Sequence, residues 1–129
     1  MVGLVIVSHS WKIAEGVVDL ALQMASEHKH LIAAGGLEDK EIGTDATRIM
    51  EAVKEADEGD GVVILADIGS GVMSAETAIE LLEDEDIKVR IADAPIVEGA
   101  IAAAVEAVTG GTMEEVIAAA EEARGENKL

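Results

Sequence analysis

Four short apolar runs, separated by segments with helical spacing, restrict this chain to few folds. The first three runs are continuous, as is typical of parallel strands that are covered on both faces. The fourth alternates apolar residues with Lys88 and Arg90, which indicates an edge strand with one solvent-exposed face. The predicted strands are residues 2–7, 31–34, 62–66 and 87–92.

The segments between these runs carry apolar stripes that predict amphipathic helices. Pro95 fits the first turn of the fourth helix, and Thr112 with Glu115 forms a capping box for the fifth. In the first helix the predicted buried stripe consists of Ile13, Val17, Leu20, Ala21 and Met24.

The element order βαβαβαβαα, without a repeat, predicts an α/β domain with an open parallel sheet and helices on both faces. The chain has 129 residues, which suits one domain. We assign that domain to residues 1–124 and treat residues 125–129 as a polar tail. Ligands of such sheets bind beyond the carboxyl ends of the strands, where the strand order reverses.

Composition excludes several classes of function. A formal net charge of −18, with one Trp and no Phe or Tyr, disfavours nucleic acids and anionic membranes as partners. The absence of Cys excludes disulfides and thiol chemistry. No apolar run approaches the roughly 20 residues of a membrane span. The N-terminus lacks the features of a signal peptide, so we expect a cytoplasmic protein.

His9, directly after the first predicted strand, is the main candidate for catalysis. The nearby amides of the first helix disfavour a cationic ring, which predicts a neutral, nucleophilic imidazole. If strands one and three are neighbours, as a 2-1-3-4 order requires, Asp67 lies beside His9. A carboxylate that accepts a hydrogen bond from Nδ1 would fix the tautomer and leave the Nε2 lone pair facing outward.

The segment after Asp67 favours phosphoryl binding. Amides of the glycine-rich turn that includes Gly69 and Gly71, with the hydroxyls of Thr44 and Ser70, could hold the oxygens of a transferred phosphoryl group. These residues are compatible with a phosphohistidine relay. The chain has no GxxxxGK[ST] motif, so we do not expect it to bind ATP as a P-loop protein does.

The same residues also have purely structural interpretations. His9 could be a structural histidine, Asp67 could cap the third helix, and the glycines could serve turn geometry alone. Thr44 is expected to cap the second helix whatever else it does. The residue types and their spacing leave these alternatives open.

Two further residues are candidates for partner docking. Trp11 could anchor a partner or fold back over the first helix, and Met73 could belong to the docking surface or, somewhat more commonly for such a residue, to the core. His28 and His30 lack an evident third ligand, so we expect no metal site there, and nothing in the sequence calls for a cofactor.

Four segments of the chain resemble a known family: the phosphotransfer subunits of phosphoenolpyruvate-dependent dihydroxyacetone kinases, which are relatives of the mannose-type enzyme IIA domains. The resemblance runs from Val2 to about Val108. It implies a 2-1-3-4 sheet, a homodimer, His9 as the phosphorylated residue and Asp67 as its paired carboxylate. The segments are VGLVIVSHSWKIAEGVVDLALQM, GGLEDKEIGTDATRIMEAV, VVILADIGSGVMSAETAIELL and DAPIVEGAIAAAV.

The resemblance also implies partners. The donor would be the phosphocarrier protein HPr, and the acceptor would be ADP in the nucleotide-binding kinase subunit, with dihydroxyacetone phosphorylated on a third subunit. Some relatives carry fused HPr-like domains, so here we expect a separate donor protein. The chain departs from the family at Trp11, where a small or basic residue is common. Two alternatives are a mannose-type IIA domain that serves a IIB domain, and a regulatory module controlled by phosphorylation.

The acidic residues are spread over the outer faces of several predicted helices, which favours adaptation to a salt-rich cytoplasm over a single binding patch. At molar salt the Debye length is only about 3 Å, so the self-repulsion of these charges is screened. We therefore predict that the midpoint of thermal unfolding rises from dilute buffer to molar KCl. Equal midpoints under the two conditions would contradict salt adaptation.

Overall fold

A four-stranded parallel sheet of order β2-β1-β3-β4 forms the centre of the protein. The computed structural model describes all residues, Met1–Leu129, and confirms the predicted α/β class and strand order. None of the helices combines the length and the apolar character needed to cross a membrane. The elements are β1 (Gly3–Ser8), α1 (Trp11–Met24), β2 (Leu31–Gly35), α2 (Ala46–Ala56), β3 (Val62–Ala66), α3 (Gly69–Leu81), β4 (Val89–Ile91), α4 (Ile96–Val108), α5 (Met113–Glu122) and a 3₁₀ turn (Ala123–Gly125).

The sheet has a separate apolar layer on each face. Leu4 and Ile6 of β1 point into a core closed by α1, α4 and α5, whereas Val5 and Val7 point into a core closed by α2 and α3. Every residue of β1 and β3 is buried. This double coverage explains why these strands are continuous apolar runs rather than alternating ones.

The strand register determines which residues meet at the carboxyl edge of the sheet. Ser8 at the end of β1 is opposite Gly35 of β2, and Val7 is opposite Ala66 of β3. The residue after Ala66 therefore lies beside the end of β1. That residue is Asp67, so the register itself brings the third strand's carboxylate to the start of the β1–α1 connection.

The predicted buried stripe of α1 is partly wrong. Ile13, Leu20 and Met24 are 49%, 47% and 65% exposed, and α1 packs instead through its buried residues Ala14, Val17, Val18 and Ala21. The reason is close packing of small residues. A Cβ added at Gly35 would lie 2.6 Å from the Cβ of Ala14, so α1 approaches β2 through its alanine face.

Of three local predictions, one is correct, one is correct except for its bounds, and one is wrong. Thr112 and Glu115 form the predicted capping box of α5. The edge strand β4 is shorter than predicted, and Arg90 is exposed there as expected. Asp45, not Thr44, caps α2: its side chain accepts a hydrogen bond from the Thr47 amide at 2.9 Å.

His28 is buried, and its two hydrogen bonds require the neutral form of the ring. It is 3% exposed, its Nε2 lies 3.0 Å from the Val2 carbonyl oxygen, and its Nδ1 accepts from the His30 amide at 3.1 Å. One ring nitrogen must therefore donate while the other accepts. Burial lowers the pKa of His28, and this effect outweighs the opposing hydrogen bond to Val2.

We predict that His28 makes stability fall on acidification. Its pKa is lower in the folded than in the unfolded chain, so below about pH 6.5 the unfolded state gains a proton that the folded state resists. The free energy of unfolding should decrease between pH 7.5 and pH 5.5 in urea titrations. His28→Asn should be less stable at pH 7.5 but lose less stability over this interval. An equal loss in both proteins would show that His28 is not responsible.

Candidate active site

The candidate active site lies at the carboxyl ends of the two central strands, β1 and β3. His9 directly follows β1, and Asp67 directly follows β3. Ser10 is the N-cap of α1, and its side chain accepts a hydrogen bond from the Ile13 amide at 3.2 Å. His9 is thus held between a buried strand end and a capped helix start, which leaves its backbone little freedom.

The imidazole of His9 is paired with the carboxylate of Asp67. Its Nδ1 lies 3.0 Å from Oδ1 of Asp67, and the His9 amide donates to Oδ2 at 2.9 Å. The two side chains are 20% and 16% exposed. Because a carboxylate only accepts, the shared proton belongs to Nδ1 of His9. The lone pair therefore resides on Nε2, as the sequence interpretation requires.

Asp67 is an ionised carboxylate in a partly buried position. Its Oδ2 also accepts from the Ser8 hydroxyl at 2.8 Å, and its Oδ1 accepts from the Ile68 amide at 2.7 Å. Burial by itself raises the pKa of Asp67, but the hydrogen bonds from the His9 and Ile68 amides and from the Ser8 and His9 side chains lower it below its ordinary value. Asp67 does not serve as the N-cap of α3, a position that Ile68 occupies.

The first turn of α3 faces Nε2 of His9. The Ser70 Oγ lies 2.5 Å from Nε2, and since that nitrogen carries the lone pair, the hydroxyl donates. The sequence interpretation placed Gly69 and Ser70 in a turn, whereas they begin the helix. Their amides have no partner within the chain, but the amide of Gly71 donates to the Ile68 carbonyl at 2.8 Å. Two free amides at a helix start suit an anion.

Gly71 has a steric contribution to the site. A Cβ added there would lie 3.0 Å from Oδ1 of Asp67 and 3.6 Å from Cε1 of His9. The first distance is tighter than ordinary van der Waals contact. A glycine at this position therefore leaves room for the paired carboxylate and imidazole.

The remaining predicted residues surround this centre. The Thr44 hydroxyl is 2.6 Å from the Ser74 hydroxyl of α3, and the preceding Gly43 amide donates to the His9 carbonyl at 2.9 Å. Trp11 begins α1, and its ring is covered by the Lys40 ammonium, 4.1 Å from the ring centroid.

Met73, one turn after Ser70, is 66% exposed. The core interpretation of Met73 is therefore wrong.

Sequence reasoning missed Ser8 and the exposed isoleucines near the site. Ser8 is fully buried, and its hydroxyl accepts from the Ser10 amide at 3.0 Å. A polar residue at the end of an otherwise apolar strand was the signal that could have identified it. Ile68 and Ile42 are 64% and 73% exposed, and each is adjacent in sequence to a residue that contacts His9.

Other parts of the molecule contribute little to a site of this kind. No group of three or more His, Asp or Glu side chains is arranged to hold a metal ion. A surface cavity of about 700 Å³ is lined by Met1, Asp60, Lys88 and Gly111, among others, but by none of the predicted site residues. His9 therefore lies outside that cavity.

Fold and site together define a class: an open parallel α/β domain that presents a carboxylate-paired histidine at the edge of its sheet. Residues 3–117 match the family described as "PTS system fructose IIA component", the mannose-type enzyme IIA family. The chain belongs to this family and, within it, to the DhaM phosphoryl donor subunits.

Several curated relatives carry the name "PEP-dependent dihydroxyacetone kinase, phosphoryl donor subunit DhaM". The Escherichia coli protein is 48% identical over 121 residues, and the Providencia stuartii protein is 43% identical over 128 residues. These alignments cover 91% and 95% of this chain but only 26% and 27% of the relatives. A Listeria innocua protein named as subunit DhaM of dihydroxyacetone kinase 2 is 40% identical over 118 residues, which cover 91% of this chain and 94% of that protein.

Two solved structures share the fold. The crystal structure of EF1359, a protein of unknown function, is 33% identical with a TM-score of 0.84, and the superposition covers 99% of this chain and 98% of that one. The enzyme IIA component from Streptococcus agalactiae superposes with a TM-score of 0.71 over 99% of this chain and 97% of that one. At 13% identity, the second likeness shows the fold alone.

Proposed function

We propose that the chain is a phosphohistidine relay of the cytoplasm: His9 accepts a phosphoryl group from HPr and passes it to ADP in the nucleotide-binding subunit of a dihydroxyacetone kinase. The observation that carries this proposal is the outward Nε2 lone pair, in a tautomer set by Asp67, beside free amides of α3. The names of the relatives support the kinase system as the destination. The homodimer implied by the resemblance belongs to the same proposal.

The accepting step needs no proton transfer from the nucleophilic nitrogen. Nε2 of His9 attacks the phosphorus of the donor, an N–P bond forms, and the bond from phosphorus to the donor breaks with its electron pair staying on the donor. The ring keeps its proton on Nδ1 and becomes cationic. Asp67, already ionised, stabilises that charge through the existing hydrogen bond.

The delivering step reverses these changes. A terminal phosphate oxygen of ADP attacks phosphorus, and the electron pair of the N–P bond returns to Nε2 of His9. The products are ATP and the neutral imidazole, again with its proton on Nδ1. The chain itself therefore needs no nucleotide site, only a partner that presents ADP to His9.

Ser70 and Gly69 are the proposed ligands of the phosphoryl oxygens. The Ser70 hydroxyl, which donates to Nε2 in the free protein, turns toward a phosphoryl oxygen when Nε2 is occupied. The free amides of Gly69 and Ser70 donate to the same group. The hydroxyl of Thr44, in the neighbouring loop, contributes a further hydrogen bond to the phosphoryl group. Gly71 has no side chain and so leaves room for the paired carboxylate and imidazole.

Intact-mass measurement tests the relay. The protein incubated with phosphoenolpyruvate, enzyme I and HPr should gain one acid-labile phosphoryl group, and His9→Ala should gain none because the nucleophile is missing. Adding the ADP-loaded kinase subunit should remove the adduct. No adduct with a cognate donor would refute the relay. An adduct that persists would refute delivery to ADP and favour a IIB acceptor or a regulatory module.

Exposed apolar side chains around His9 are the proposed docking surface for these partner proteins. Met73 lies in the first turns of α3, Ile68 is the N-cap of that helix, and both side chains are mostly exposed. Trp11 is partly buried and begins α1, two residues after His9. Apolar contact suits a protein of net charge −18, because it is not weakened by salt screening.

Met73→Ala tests this surface against a matched control. The substitution should raise the HPr concentration needed for half-maximal phosphorylation by about fivefold, with the rate at saturation unchanged, because a side chain at an interface contributes about 1 kcal/mol. Met24→Ala is the control, since Met24 is 65% exposed at the far end of α1. Equal effects of the two substitutions on that concentration would contradict a docking role for Met73.

A further inference from the structure

Ser8 is a buried polar residue that the proposed reaction does not use directly. It is 0% exposed and stands at the end of β1, whose other residues are apolar or glycine. Its hydroxyl has two partners, the Ser10 amide at 3.0 Å and Oδ2 of Asp67 at 2.8 Å. A polar side chain without solvent contact that reaches the carboxylate of the site is a candidate for a positioning role.

The direction of these hydrogen bonds is determined by their chemistry. An amide only donates, so the Ser8 oxygen accepts from Ser10 and directs its own proton to the carboxylate of Asp67. The chain of bonds thus runs from Ser10, the N-cap of α1, through Ser8 to Asp67. It fixes one side of the carboxylate to the start of the helix that follows His9.

The two oxygens of Asp67 accept hydrogen bonds from different donors. Oδ2 accepts from the Ser8 hydroxyl and the His9 amide, whereas Oδ1 accepts from Nδ1 of His9 and the Ile68 amide. Rotation of the carboxylate would break bonds on both sides together. Removing the Ser8 hydroxyl leaves Oδ2 with one donor and the Ser10 amide without its acceptor.

We propose that Ser8 is a positioning residue that acts on His9 through Asp67. It holds the carboxylate in the rotation that keeps the His9 proton on Nδ1 and the lone pair on Nε2. Ser8 does not touch the phosphoryl group. The effect on phosphoryl transfer rests on the relay proposed above, but the effect on the His9 tautomer does not.

A purely structural role for Ser8 makes a different prediction. If the hydroxyl only stabilised the connection between β1 and α1, its loss would act independently of Asp67. If it works through Asp67, its loss should have little effect once that carboxylate is gone. A double-mutant cycle separates these two cases, because residues in one hydrogen-bonded network are not additive.

The kinetic test measures single-turnover phosphorylation by HPr in the parent, Ser8→Ala, Asp67→Ala and the double variant. Ser8→Ala should slow the step about tenfold at saturating HPr, with the half-saturating concentration unchanged. Asp67→Ala should fold and react more slowly still. In that background, Ser8→Ala should change the rate less than twofold. Ser26→Ala, at an exposed serine in the turn after α1, is the control and should match the parent.

A tautomer measurement without any donor protein keeps the inference separate from the relay. In ¹⁵N spectra at neutral pH, the parent should show His9 with its proton on Nδ1 only, and Ser8→Ala should show a mixture with the other tautomer. Should Ser8→Ala not fold, Ser8→Cys keeps the side-chain size with a much weaker donor and should give the same mixture. An unchanged tautomer, or rate losses that multiply in the double variant, would overturn the positioning role.

Discussion

The carboxylate of Asp67 is the interaction on which the site depends. It accepts four hydrogen bonds, which come from the last residue of β1, from both donors of His9 and from the amide that precedes α3. Two chain segments far apart in sequence, residues 8–9 and 67–68, therefore meet at one charged group. The same bonds that keep Asp67 ionised also select the His9 tautomer, so the local structure and the nucleophilicity of Nε2 have one cause.

The meeting of these segments follows from the order of the strands. β1 lies between β2 and β3, so the connections after β1 and β3 leave toward opposite faces of the sheet, with α1 on one core and α3 on the other. A gap opens at this point beyond the strand ends. Both helices begin there, and the amides of Gly69 and Ser70, at the start of α3, have no partner within the chain. The register places Asp67 opposite the strand end that precedes His9.

Sequence reasoning succeeded where one physical rule acts alone. Continuous apolar runs are typical of strands covered on two faces, and a threonine three residues before a glutamate forms a capping box, so β1, β3 and the start of α5 were predictable. It failed where neighbouring contacts compete. Thr44 and Asp45 can both cap a helix, but the Thr44 hydroxyl is bonded to Ser74, a contact made only in the folded chain.

Which apolar side chains of α1 and α3 are exposed was not predictable for the same reason: it depends on contacts made only in the folded chain. Periodicity marks apolar positions, but it does not show that Ala14 packs more closely on Gly35 than Ile13 could. Met73 likewise lies outside both cores, because α3 packs through its small residues Gly71, Ala75 and Ala78. Pairing of His9 with Asp67 was predictable only together with a strand order, and the part played by Ser8 required the buried contacts themselves.

Charge acts at two distances in this protein, which makes so acidic a chain compatible with the proposed phosphoryl transfer. The formal charge of −18 opposes a phosphoryl group, but at physiological salt its influence fades over about 8 Å. The donors at the site act within hydrogen-bond distance, where screening is slight: the Ser70 hydroxyl and the amides that begin α3. The cationic ring of the proposed transfer would form next to Asp67, the one acidic side chain bonded to His9. Acidic residues elsewhere are therefore compatible with the proposed transfer, because the groups in direct contact with the phosphoryl group determine its electrostatic stabilisation.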